Sequence, residues 1–119
     1  MTRLLLLIWI ALFPAYGAGQ ANQMVRINDA KEFREQVAGR DLTRTGITMR
    51  VEPGGVLTGR AFGGRVTGRW TWESGYFCRE MRWGGRSWDW NCQAVFLGAD
   101  TVRFIADRGK GDSADLSLK

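Results

Sequence analysis

The stretch ITMRVEPGGVLTGRAFGGRVTGRWTWE, Ile47–Glu73, decides the fold. Ile47, Met49 and Val51 alternate with Thr48, Arg50 and Glu52, the period of two that belongs to a strand with one apolar face. Pro53, Gly54 and Gly55 turn the chain, and Leu57, Gly59 and Ala61 then share a face opposite Thr58, Arg60 and Phe62. Gly63 and Gly64 read as a two-residue hairpin loop of the primed type. Beyond it Val66, Gly68, Trp70 and Trp72 alternate with Arg65, Thr67, Arg69 and Thr71.

The same grammar continues to the C-terminus. A turn at Glu73–Gly75 leads into a strand from Tyr76 to Trp83, and Gly84–Ser87 leads into Trp88–Leu97. Gly98–Asp100 leads into Thr101–Asp107, and Ala114, Leu116 and Leu118 alternate once more. This predicts seven strands in an antiparallel meander, with Met24–Ile27 a further short strand. The loops set Val51 opposite Leu57, Met49 opposite Gly59, Gly59 opposite Gly68, Leu57 opposite Trp70, Phe96 opposite Val102 and Ala94 opposite Phe104. One face is apolar throughout, so the meander is expected to curl into a small, closed or nearly closed barrel. The 16 glycines against 2 prolines fit a turn-rich β protein.

Upstream, Asp29 and Glu32 form a capping-box pattern, Phe33 and Val37 stand four apart beside Ala30, and Gly39 suits a helix C-terminus. One short helix over about Ala30–Ala38 follows, marginal alone. Its apolar stripe must dock, and one end of the barrel is the natural place.

Residues 1–17 read as a signal peptide: Arg3 is the positive n-region, Leu4–Phe13 the apolar run, and Ala15 to Gly17 the small-residue site. Cleavage is expected before Ala18, with Gly19–Ala21 a second site. No transmembrane segment remains after cleavage. Residues 18–28 are expected to be a flexible N-terminal segment and 29–119 a single small β domain, periplasmic or secreted.

In an oxidising compartment Cys78 and Cys92 pair by default, the alternative being two buried thiols. Pairing them leaves two registers open. In one, a β-bulge at Arg79–Glu80 keeps Met81 and Trp83 inside and brings Cys78 to Cys92 on the inner face, with Trp88, Trp90, Ala94 and Phe96. In the other, a regular ladder joins the cysteines and turns Glu80 and Arg82 inward.

The chain contains no histidine, which removes the commonest general base and zinc ligand. No metal, cofactor or catalytic residue is expected. Gly109–Ala114 matches G-x-G-x-x-A, but too few residues follow for the helix and strand that a dinucleotide site needs. The carboxylate pairs Glu73 with Glu80 and Asp107 with Asp112 sit in turn-like surroundings. The tryptophans between Trp70 and Trp90 fall mostly on the apolar face, as core.

The remaining signal is basic. Arg60, Arg69, Arg79 and Arg82, extended by Arg65 and Arg86, are expected on the outer face of consecutive strands, a candidate anion-binding patch on a chain of net charge +5. In the cell envelope the partners of matching charge are lipid head groups, acidic polysaccharide or an acidic protein. Nucleic acid fits less well, because the strands lack exposed aromatics interleaved with the basic residues.

The pieces Gly59–Gly63, Gly75–Arg79, Trp83–Gly85, Asn91–Gln93 and Asp107–Asp112 together resemble a family of small exported bacterial proteins of unknown function, often automatically labelled dihydrodipicolinate reductase. The resemblance implies export and paired cysteines. Enzymes of that name use a dinucleotide-binding domain and histidines, so no catalytic residue carries over to this chain. The expected function is a non-catalytic binding module for an anionic envelope partner; the alternative is the enzyme of the label.

Overall fold

The computed structural model describes residues 23–119. The proposed signal peptide, and residues 18–22 of the segment that follows it, lie outside the described residues. Nine strands are present: β1 Val25–Ile27, β2 Asp41–Arg44, β3 Ile47–Val51, β4 Val56–Ala61, β5 Gly64–Glu73, β6 Tyr76–Trp83, β7 Arg86–Leu97, β8 Thr101–Ile105 and β9 Ser113–Leu118. Helix α1 spans Ala30–Gln36, and a four-residue helical turn, α2, spans Ala106–Gly109 with left-handed backbone angles at Asp107 and Arg108.

Strands β2 to β9 form a closed antiparallel barrel: each pairs with its chain neighbour, and β9 returns to β2 through Leu42 opposite Leu118. β1 lies outside that ring and pairs with the end of β7, Ile27 opposite Val95, on the edge that β6 occupies further along. Closure leaves the ring without a free edge to pair with another chain. Strand β2 was absent from the sequence expectation because Asp41, Thr43 and Arg44 surround one apolar residue, Leu42. It is what closes the ring. Among the described residues no helix is long and apolar enough to cross a membrane.

Helix α1 forms as expected at its start. Asp29 caps it, its carboxylate accepting the Glu32 backbone N–H at 2.8 Å. The helix ends at Gln36, short of Ala38. Its buried stripe, Phe33 and Val37, seals one end of the barrel. The Phe33 ring lies 5.2–5.3 Å from the rings of Trp70, Trp72 and Phe77. The walls at this end, Val51, Leu57, Trp70 and Phe77, are buried, whereas Ile47, Met49, Met81, Trp83 and Leu116 toward the other end are only partly so.

Registers differ from expectation in three places. Val51 faces Leu57 and Met49 faces Gly59, as expected. The next loop is Phe62–Gly63 rather than Gly63–Gly64, so Leu57 faces Gly68 and Gly59 faces Val66. Phe62 and Gly63 both take positive φ, 50° and 83°, the requirement of a primed turn, which an aromatic residue rarely meets. A shift by two keeps every side chain on its face. Gly68 is required here because a Cβ would overlap the Glu80 carbonyl of β6.

The second difference is at the β7–β8 connection, where Leu97 faces Val102 and Val95 faces Phe104. This one-residue change puts Val95 and Leu97, not Ala94 and Phe96, on the side of Val102 and Phe104. The third is the bulge. Cys78 does face Cys92, and Arg79 faces Asn91, but Met81 faces Trp88 and Trp83 faces Arg86. The extra residue therefore lies on β7, where Asp89 and Trp90 together oppose Glu80, and not at Arg79–Glu80. The preceding loop shortens to Gly84–Gly85, and Trp90 is displaced to the surface, 45% exposed.

Candidate functional site

The bulge decides which side of the wall each residue of β6 occupies. Across β5, Phe77, Arg79, Met81 and Trp83 pair with Trp72, Trp70, Gly68 and Val66, whose face is the barrel interior. Cys78, Glu80 and Arg82 pair with Thr71, Arg69 and Thr67 on the outer face. The Cys78–Cys92 disulfide is present, but on the outer side of the wall rather than the inner. It fits an oxidising environment.

Arg79 is the main correction to the basic patch: it enters the barrel instead of pointing away from it. Alternation from buried Phe77 carries it inward once the cysteines are paired on the outside. Burial pushes its guanidinium below the ordinary arginine value, and it stays cationic at neutral pH. Its one side-chain hydrogen bond among the described residues is a long donation from Nη1 to the Asp89 carbonyl at 3.4 Å.

Arg60, Arg65, Arg69 and Arg82 are on the outer face but not in equal states, whereas Arg86, paired with Trp83, stands on the inner side at the open rim. Arg69 is neutralised by Glu80, with Nη2 and Oε2 2.6 Å apart. Arg60 and Arg65 are directly opposed on β4 and β5, and Arg82 faces Thr67 on the next strand. All three are exposed, and none has a carboxylate within ion-pair distance among the described residues, whose ion pairs are Lys31–Glu35, Arg50–Asp41, Arg69–Glu80 and Arg103–Asp115. Like charges directly opposed on a sheet repel, so this pair costs stability as it stands. Arg86 lies over the Trp88 ring at 5.4 Å.

Between these arginines the outer face forms an open depression of ≈ 460 Å³, lined by Thr48, Thr58, Arg60, Arg65 and Thr67. The threonines offer hydroxyl donors and the arginines planar, always-charged forks, the combination that suits phosphate or carboxylate oxygens. The sequence expectation overlooked the threonines, although their alternation with the apolar residues places them beside Arg60 and Arg65.

The carboxylate candidates are not assembled for acid–base work. Glu73 accepts from the Thr71 hydroxyl at 2.7 Å, while Asp107 accepts from the Asn91 amide at 2.7 Å and its backbone N–H donates back to the Asn91 carbonyl oxygen at 3.1 Å. Gly109 to Ala114 pass from the left-handed turn straight into β9, with no helix behind the glycines.

Scans of the chain against protein-family models, curated proteins and solved structures find no match.

Proposed function

We propose that this protein is an exported, non-catalytic binding module, periplasmic or secreted, that takes the anionic head groups of an envelope membrane on the outer face of β3–β6. The observation that carries this reading is the opposition of Arg60 and Arg65, with Arg82 beside them and, among the described residues, no carboxylate within ion-pair distance of any of the three. Three bare cations around a threonine-lined depression repel each other until an anion sits between them. A sheet of phosphate groups supplies that counter-charge at many points at once, which suits a broad, shallow surface better than a single small anion does.

Export is supported by the N-terminal sequence and by a disulfide on a barrel that has little other covalent reinforcement. The resemblance to small exported bacterial proteins points the same way.

Retention on an immobilised polyanion tests the reading. The protein should be held at low salt and released at moderate salt, because exposed charges are screened within about 8–10 Å at physiological ionic strength. Changing Arg60, Arg65 and Arg82 together to Ser should abolish retention. Unchanged retention of that variant would show that the face is only a solvated surface.

A further inference from the structure

The barrel interior holds a second feature, independent of the outer face. A cavity of ≈ 540 Å³ lies between the walls and is lined chiefly by apolar residues, among them Met49, Leu57, Val66, Met81 and Phe104. That volume falls within the range of small-molecule sites. Helix α1 closes one end through Phe33. The other end is rimmed by Phe62, Trp83 and Trp88, with Arg44 and Asp112 at its edge.

Two observations indicate an amphiphilic occupant. Phe62 is 69% exposed, although it is apolar and sits at φ 50° in a two-residue turn that Gly or Asn would fill without strain. It lies 6.0 Å from the Trp83 ring, so the rim presents an apolar surface to anything that enters. Deeper in than the exposed Arg44 at the edge, Arg79 is half-buried among apolar residues, with no carboxylate within ion-pair distance among the described residues. Residues 1–22 contain no Asp or Glu that could serve it. Asp112 lines the same cavity from its exposed edge and makes no ion pair with Arg79.

A lone guanidinium in such a place is best matched by one negative charge carried on an apolar body. Gln93, buried on the same wall, adds an amide that can donate to a carboxylate oxygen.

We propose that the barrel binds one amphipathic monocarboxylate, its apolar chain among Met49, Leu57, Met81 and Phe104 and its carboxylate on Arg79, entering past Phe62 and Trp83.

Titration of the purified protein with dodecanoate and, separately, with dodecanol tests this, read by calorimetry and by the fluorescence of Trp83 and Trp88. The proposal expects saturable one-to-one binding of dodecanoate, tighter than dodecanol by about tenfold or more, the worth of one charge-assisted contact. Arg79→Met should bring the two ligands to equal affinity, and Arg60→Ser should leave the preference as it was. Absence of saturable dodecanoate binding to the unaltered protein overturns the proposal. So does equal binding of acid and alcohol, a comparison that needs no variant to fold. A preference that survives in folded Arg79→Met would overturn the role of Arg79. Because Arg60 lies outside the cavity, these results are separable from the fate of the membrane-binding reading.

Discussion

Arg79 and Glu80 are neighbours in the chain and stand on opposite sides of the barrel wall: Arg79 enters the cavity, and Glu80 reaches outward to Arg69 at 2.6 Å. The same short segment therefore isolates one cation inside and neutralises another outside. What remains bare on the outer face is the group Arg60, Arg65 and Arg82, smaller than the row of arginines suggests and centred on a single cross-strand pair.

That pair carries a stability cost that can be measured. Arg65→Glu places opposite charges across from Arg60 in the register that now opposes like charges. The variant should be more stable by about 0.2–1 kcal/mol at low salt. The gain should shrink as salt rises. Urea denaturation at two salt concentrations checks this; an unchanged or lowered midpoint would show that the two guanidiniums do not repel.

Phe33 is the stopper of the closed end, fully buried against three aromatic rings. Phe33→Ala should cost about 3–5 kcal/mol, because a short helix and the two strands β5 and β6 share that contact. Calorimetric melting reads the loss directly. A loss well under 1 kcal/mol would mean that the helix does not hold the barrel shut.

The disulfide joins residues that are already paired partners on β6 and β7. Mass spectrometry of unreduced protein should find the Cys78 and Cys92 peptides linked. Reduction should lower stability by about 3 kcal/mol for a closed loop of roughly this length. Two alkylatable thiols in the folded, exported protein would contradict both statements.

Much of this architecture was readable from alternation alone. Ile47, Met49 and Val51 announced their face, as did Val66 and Trp70, and the capping pattern at Asp29 and Glu32 located the helix start. Alternation failed where the chain departs from a plain ladder. Asp41–Arg44 has one apolar side chain, too few to display a period, yet its hydrogen bonds complete the ring. The Phe62–Gly63 turn was misplaced by one residue because a phenylalanine at positive φ is a poor guess when Gly64 stands next to it. The sequence calls for a bulge, and the structure puts it on β7 rather than at Arg79–Glu80. Two tryptophans and a glycine-rich loop fit either side, and only the pairing of Trp83 with Arg86 decides. A bulge at Arg79–Glu80 sends Arg79 outward, whereas one on β7 turns it into the barrel.

Asp115 gives the chain a pH dependence of known sign. Its carboxylate takes two hydrogen bonds from Arg103, at 2.7 and 3.0 Å, and these hold its pKa below the usual aspartate value. The pair therefore stabilises the fold above the unfolded-state aspartate pKa of about 3.9, and the contribution is lost as pH falls through the lower folded value. Both side chains are substantially exposed, so the effect is small. Arg103→Ala should return the Asp115 pKa toward the usual value, seen in the carboxyl carbon shift during an NMR titration. An unmoved titration would show that Arg103 does not hold it.

The most direct test is co-sedimentation with vesicles containing anionic lipid, comparing the Arg60→Ser, Arg65→Ser, Arg82→Ser triple variant with a double variant that removes one neutral ion pair, Arg69→Ser with Glu80→Ser, and so leaves the net charge as it was. Salt-sensitive binding of the unaltered protein to anionic but not to neutral vesicles is predicted, with loss of that binding in the triple variant and near-complete retention in the Arg69→Ser, Glu80→Ser variant. Binding that persists in the triple variant, or an Arg69→Ser, Glu80→Ser variant that binds as poorly as the triple one, would contradict this reading.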